Sequence, residues 1–139
     1  MSNDLQLFTF SWSAYNRLSD DQKKRVQPVR ISVGRPRFIK GAGEIPLVTM
    51  LTPGELFRQG LERSEFRKQY AKRLDEFGLT KITNALEKVQ EEAGNKPLLL
   101  LCFEADPKDC HRSDFSSWWK KQTGETIPEF DAGGQLVIA

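Results

Sequence analysis

The sequence is poor in the residues that most often announce a function. Among 139 residues there are two cysteines and a single histidine. Two cysteines are too few for a disulfide framework, and the default compartment is a reduced one, the cytoplasm. Long apolar runs are missing as well. The longest, Leu98 to Phe103, falls far short of the ~20 residues a spanning helix needs, so no membrane partner is expected. The opening "MSNDLQLFTFSW" has neither a basic n-region nor a long apolar h-region, which argues against a secretory signal. No charge of one sign dominates: 21 Lys and Arg face 19 Asp and Glu, a net of +2. Internal repeats, low-complexity segments and linkers are absent too. What remains is an ordinary globular composition, expected to form one domain over 1–139. A chain of this size buries roughly two thirds of its unfolded surface, enough for a core without staples.

The pattern along the chain predicts an α/β fold. "LQLFTFSW" reads as an opening strand and "LSDDQKKRV" as a short polar helix with Ser19 as its cap. In Pro28–Gly34 the period of two sends Val29, Ile31 and Val33 inward and Arg30 and Ser32 outward, a strand ended by Gly34. Thr52-Pro53-Gly54-Glu55 has the form of a capping box opening a short helix to Gln59. Ser64 is expected to cap a longer helix from Glu65 to Phe77, with Phe66, Tyr70, Leu74 and Phe77 on one face and Gly78 as its C-cap. A third helix runs from about Lys81 to Ala93, with Ile82, Ala85, Leu86 and Val89 inward. The apolar "KPLLLLCF" is too short for a free helix and reads as a strand covered on both faces. A helix over Ser113–Gln122 follows, packing Phe115 and the tryptophans. "GGQLVIA" reads as a closing strand. Strand, strand, three helices, central strand, helix, strand gives a single compact domain, a mostly parallel or mixed sheet flanked by helices in Rossmann-like layering.

All the cysteine and histidine lies within ten positions of one stretch, "CFEADPKDCHR", between the apolar strand and the last helix. In open α/β sheets ligands gather where a strand's carboxyl end hands over to a helix N-terminus. The first turn of a helix offers unpaired N–H groups and partial positive charge. Arg112 adds a permanent cation with a fork suited to phosphate, and it is expected to point at an open pocket with Ser113 beside it. His111, Arg112 and the helix start would each favour a thiolate at Cys110, so Cys110 as nucleophile with His111 as acid/base is one reading. A packed small side chain is the plainer one. Glu104, just past the strand, suits a general base, or it orients Arg112 or His111. Zinc on Cys102, Cys110 and His111 matches no common ligand spacing, and neither a metal nor a cofactor is expected. Cys102 itself reads as a buried small apolar residue, and a Cys102–Cys110 disulfide is possible but disfavoured inside a cell.

A second loop, "SVGRPRF", follows the other internal strand. Gly34 allows close backbone approach, and Arg35 and Arg37 bring cations. If the two strands are neighbours, Ser32, Gly34, Arg35, Arg37, Glu104, His111 and Arg112 line one cleft. From Arg17 to Lys40 eight basic residues stand against Asp20 and Asp21, a local net of +6 that reads either as a solvated face or as a rim for a phosphate-bearing partner.

Together these loops resemble those of the bacterial, archaeal and phage family called domain of unknown function 488. "LLLLCFEADPKDCHR" is similar to its late strand and Cys-His-Arg helix start, and "ISVGRPRF" to a strand of a compact phage and bacterial subgroup. "LTPGEL" and "SEFRKQYAKRL" are similar to that subgroup's later segments, so the likeness spans about residues 8 to 128. The resemblance implies a compact α/β fold and motif positions at Cys102, Glu104, Cys110, His111 and Arg112. It supplies no reaction. The family's widespread form carries an Asp-Val-Arg segment after its second strand, which this chain lacks.

Three functional readings follow. The first, favoured, is a binder of a phosphorylated or anionic ligand, nucleotide-derived, at the strand-to-helix loop. The second is an enzyme acting on nucleotides or nucleic-acid bases through Glu104, His111 and Cys110. The third is a nucleic-acid or protein interaction module using the 17–40 face. Trp118 and Trp119 are adjacent and are not expected to face one core together; an exposed one would offer a homodimer contact.

Overall fold

The computed structural model describes residues 5–32, 45–54, 56, 60–102 and 111–130. Three parallel strands form the sheet: β1 (Leu7–Ser11), β2 (Gln27–Arg30) and β3 (Leu98–Cys102), in the order β1-β3-β2. The central position of β3 explains its composition. Leu7 to Ser11 pair with Leu98 to Cys102 on one side and Gln27 to Arg30 with Leu98 to Leu101 on the other. A strand with neighbours on both edges and layers on both faces has no solvent side, so "LLLLC" is apolar at every position and fully buried.

Alternation along the strands divides the core between the two faces. Leu98, Leu100, Cys102, Leu7 and Val29 meet α3 (Arg63–Phe77), α4 (Leu79–Glu92) and α5 (His111–Thr123), burying Tyr70, Leu74, Ile82, Leu86, Phe115 and both tryptophans of α5. Leu99, Leu101, Phe8 and Phe10 face the other way, toward Trp12, Leu18, Val26 and Phe130 around α1 (Trp12–Asn16) and α2 (Asp20–Lys24). The result is a compact α/β domain with a covered parallel sheet, as the periodicities predict. Residues 128–130 add a parallel bridge to the free edge of β1, between Thr9 and Glu129.

Local signals set most boundaries. Ser19 accepts from Gln22 N–H while the Gln22 side chain accepts from Ser19 N–H, a reciprocal capping box. Gly78, at φ 90°, ends α3 and begins α4, a conformation that favours a residue without Cβ.

Thr52 follows a 3₁₀ turn, Thr49–Leu51, and its hydroxyl donates to the Thr49 carbonyl at 2.8 Å; Glu55, the other half of the expected capping box, lies outside the described residues. Three expectations need correction. α3 begins at Arg63 with Glu62 at its N-cap, so Ser64 is inside the helix. Ser32 is buried against Trp12 and does not face outward, because β2 ends at Arg30 and the strand alternation stops there. Trp118 and Trp119 are both buried. Trp118 turns to α3, donating to Asp75 Oδ1 at 2.8 Å, while Trp119 lies over Phe115 with ring centroids 5.8 Å apart. Two neighbours on a helix diverge by about 100°, and α5 is sandwiched closely enough for both directions to be covered. The closing strand predicted from "GGQLVIA" falls outside the described residues, as does Val33.

Candidate functional site

The carboxyl ends of the strands, the first turn of α5 and the first turns of α3 meet in one region. Ser11 and Cys102 are register partners at the ends of β1 and β3, and Ile31 N–H still bonds Leu101 carbonyl as β2 ends. The two internal strands are neighbours, as the cleft hypothesis requires. Of the residues placed in that cleft, Ser32, His111 and Arg112 are described here, with Ser113 on α5. Gly34, Arg35, Arg37, Glu104 and Cys110 lie outside the described residues.

Arg112 is the best-held side chain of the group. It is fully buried; its Nη2 and Nε donate to Glu129 Oε2 and Oε1 at 2.9 and 3.2 Å, and its Nη1 lies 3.4 Å from Cys102 Sγ. Thr9 Oγ1 also donates to Glu129 Oε1, at 2.6 Å. The guanidinium therefore does not point into an open pocket. A cation removed from water needs a counter-charge. Glu129, brought over β1 by the bridge to Thr9, supplies that charge in the two-pronged geometry that Arg favours. Cys102 is disulfide-bonded, and the sequence contains one other cysteine, Cys110. Cys102 is buried, as expected, while its disulfide runs against the expectation of a reduced compartment. The zinc set considered from sequence loses this ligand as well.

His111 is buried, with Nε2 against the Ile31 carbonyl. A carbonyl only accepts, so Nε2 carries hydrogen, and in neutral imidazole the basic atom is Nδ1. The ring meets Tyr70 edge-on at 5.7 Å. Tyr70 donates to the Leu51 carbonyl at 2.5 Å. Burial first, and then the Asp114 carboxylate, push the Tyr70 hydroxyl far above the ordinary phenol range, against the opposing pull of Arg73. Tyr70 is thus a neutral donor that fixes one wall. Trp12 Nε1 donates to Ser32 Oγ at 3.2 Å, tying the end of β1 to the end of β2.

The outer part of the region was not predicted. Asp114, buried in the first turn of α5, accepts from Arg63 Nη1 at 2.6 Å and Arg67 Nε at 2.9 Å. The Arg63 side chain is 33% exposed and that of Arg67 60%, so the pair spans from the buried carboxylate to solvent. Arg63 also lies over the Phe66 ring at 5.8 Å. The spacing of four between these arginines was the available signal, since it puts both on one face of α3. Nothing local in the sequence marks Glu129.

Three of the five described cations of the 17–40 segment have separate local partners. Arg25 pairs with Asp21, Lys23 Nζ lies 5.3 Å from the Tyr15 ring centroid, and Arg30 Nε donates to the Ile45 carbonyl at 2.8 Å.

Residues 49–118 match the family model described as Domain of unknown function DUF488. The chain belongs to this family. The matched part of this DUF488 protein contains α3, α4, β3 and the first turn of α5, and so the Arg63, Arg67 and Asp114 cluster with Arg112. It does not include β1, β2 or Glu129. No curated protein and no solved structure matches the chain. No helix among the described residues is long and apolar enough to cross a membrane.

Proposed function

We propose that this DUF488 protein binds a phosphorylated or anionic small molecule, nucleotide-derived, at the carboxyl edge of its sheet over the first turn of α5. One observation carries the reading: Arg63 and Arg67, with side chains 33% and 60% exposed, converge on the buried carboxylate of Asp114, in the same first turn of α5 as Arg112. The N-terminus of a 13-residue helix adds partial positive charge in the same place, about half an elementary charge. Arg67, the more exposed, is the outer contact. Arg63 shares it, and Asp114 fixes the spacing of the two forks. Arg112 acts as a positioning residue, anchoring α5 to Glu129 behind the ligand. Ser32, Gly34, Arg35, Arg37 and Ser113 complete the proposed binding set.

Binding is preferred to nucleophilic chemistry because a cysteine nucleophile needs a free thiol, and Cys102 is disulfide-bonded in a chain with one other cysteine. Glu104 and His111 keep their candidate roles in proton transfer only under the enzyme reading.

The test is a thermal melt with pyrophosphate and with AMP as probes. The expected result is a Tm that rises with ligand concentration, since a ligand at 100 times its Kd adds about 2.7 kcal/mol. The rise should shrink in Arg67→Gln. Equal Tm with and without either probe at millimolar concentration would overturn the proposal.

A further inference from the structure

A second cavity lies at the opposite end of the sheet. Its volume is about 670 Å³, within the usual range for small-molecule sites. It is bounded by Leu5 ahead of β1, by Leu79, Thr83 and Asn84 on α4, and by Trp119 and Glu125 at and beyond the end of α5. Since α5 starts at the strand carboxyl ends and runs back along the sheet, this cavity is remote from Arg63, Arg67 and Arg112.

Trp119 marks it as more than a gap. The residue is 96% buried by its 4% exposure, yet its indole N–H has no acceptor among the described residues. The other two tryptophans both donate, to Ser32 Oγ and Asp75 Oδ1. No buried side-chain nitrogen or oxygen among the described residues is sealed away without a partner. The Trp119 N–H is therefore reached from the cavity that its ring lines. An indole N–H with no protein acceptor is satisfied by solvent or by a ligand, and this one belongs to a ring that lines the cavity.

The rest of the wall defines the ligand. Leu5, Leu79 and the indole ask for an apolar body. The indole N–H asks for an acceptor on it. Asn84 and Thr83 can accept from donors beside that acceptor, and the only charged lining groups are two carboxylates, Glu87 and Glu125. With no lysine or arginine in the lining, an anion is disfavoured. We infer that this cavity is a second binding site, for an uncharged or cationic amine-bearing heterocycle with a ring acceptor next to an exocyclic amine. It is independent of the anion site.

The experiment uses the full chain and adenosine as the probe, with benzoate as an anionic aromatic control. The three indole N–H resonances are followed by ¹⁵N NMR and assigned by single Trp→Phe variants. Adenosine should move the Trp119 resonance and leave Trp12 and Trp118 in place, and benzoate should move none. Trp119→Phe should weaken adenosine binding about tenfold, the effect of one lost hydrogen bond from a desolvated donor. Thr83→Trp, placed on the helix wall to fill the cavity, should abolish the Trp119 shift while the other two indole resonances report an intact fold. The inference is overturned if adenosine moves no indole resonance, if it moves Trp12 or Trp118 instead, or if benzoate binds at the Trp119 position as well as adenosine does.

Discussion

Replacing Glu129 with Gln isolates one interaction on which the site depends. The Arg112 guanidinium is fully buried, and the Glu129 side chain facing it is 36% exposed. Gln keeps the shape and can still accept from Thr9 Oγ1, so the change removes one charge and one of two acceptors from Arg112. Stripping the partner from a deeply buried pair costs about 3–5 kcal/mol, whereas an exposed pair contributes about 0–1. With one partner sealed and the other partly wet, the expected loss is about 2–3 kcal/mol. Unfolding entropy of about 2.1 cal/mol/K per residue turns this into a fall in Tm of about 7–10 °C for a domain of this length. Calorimetry or tryptophan-fluorescence melts would measure it. The companion variant is Arg112→Met in the Glu129→Gln background. Once the cation is gone the charge at Glu129 no longer matters to it, so the double variant should lose less than the sum of the two single losses. A Glu129→Gln loss below about 0.5 kcal/mol, or strict additivity, would refute the claim that Glu129 neutralises a buried cation.

Other predictions follow from the same geometry. Leu100→Ala, at a fully buried position of the central strand, should cost about 3–5 kcal/mol in urea unfolding. Tyr70 has a folded pKa raised above its unfolded value, so its contribution is fully present below about pH 10 and declines as pH rises further. Wild type should lose up to about 1.4 kcal/mol per pH unit there, and Tyr70→Phe should flatten that alkaline limb while losing about 1 kcal/mol at neutral pH, with the Leu51 bond gone. Trp118→Phe should cost about 1 kcal/mol through the bond to Asp75, read from the same unfolding curves.

The layers of the fold were legible because they rest on short-range patterns. The apolar run at Leu98–Cys102 has one economical explanation, a strand covered on both faces, and the four-residue spacing of Phe66, Tyr70 and Leu74 fixes the inner face of α3. Ser32 was misplaced because it lies just past the end of β2, where the periodicity no longer decides direction and a nearby partner, Trp12, does. The tryptophan pair was misjudged because the sequence does not reveal that α5 has packing neighbours on two sides. At the candidate site, the strand-to-helix position of Arg112 could be read from the sequence, but its counter-ion could not. Glu129 lies 17 positions away and reaches Arg112 only through a bridge to β1. The Arg63 and Arg67 pair was visible as a helical spacing, but its target Asp114 is a long-range partner, 51 and 47 positions distant.

The most direct test of the account is an isothermal titration of the protein with pyrophosphate at low and at high salt. Saturable one-to-one binding is predicted, weakened by added salt as contacts between exposed charges should be and reduced about tenfold in Arg67→Gln. Absence of saturable binding at low salt, or an affinity indifferent both to salt and to Arg67→Gln, would contradict it.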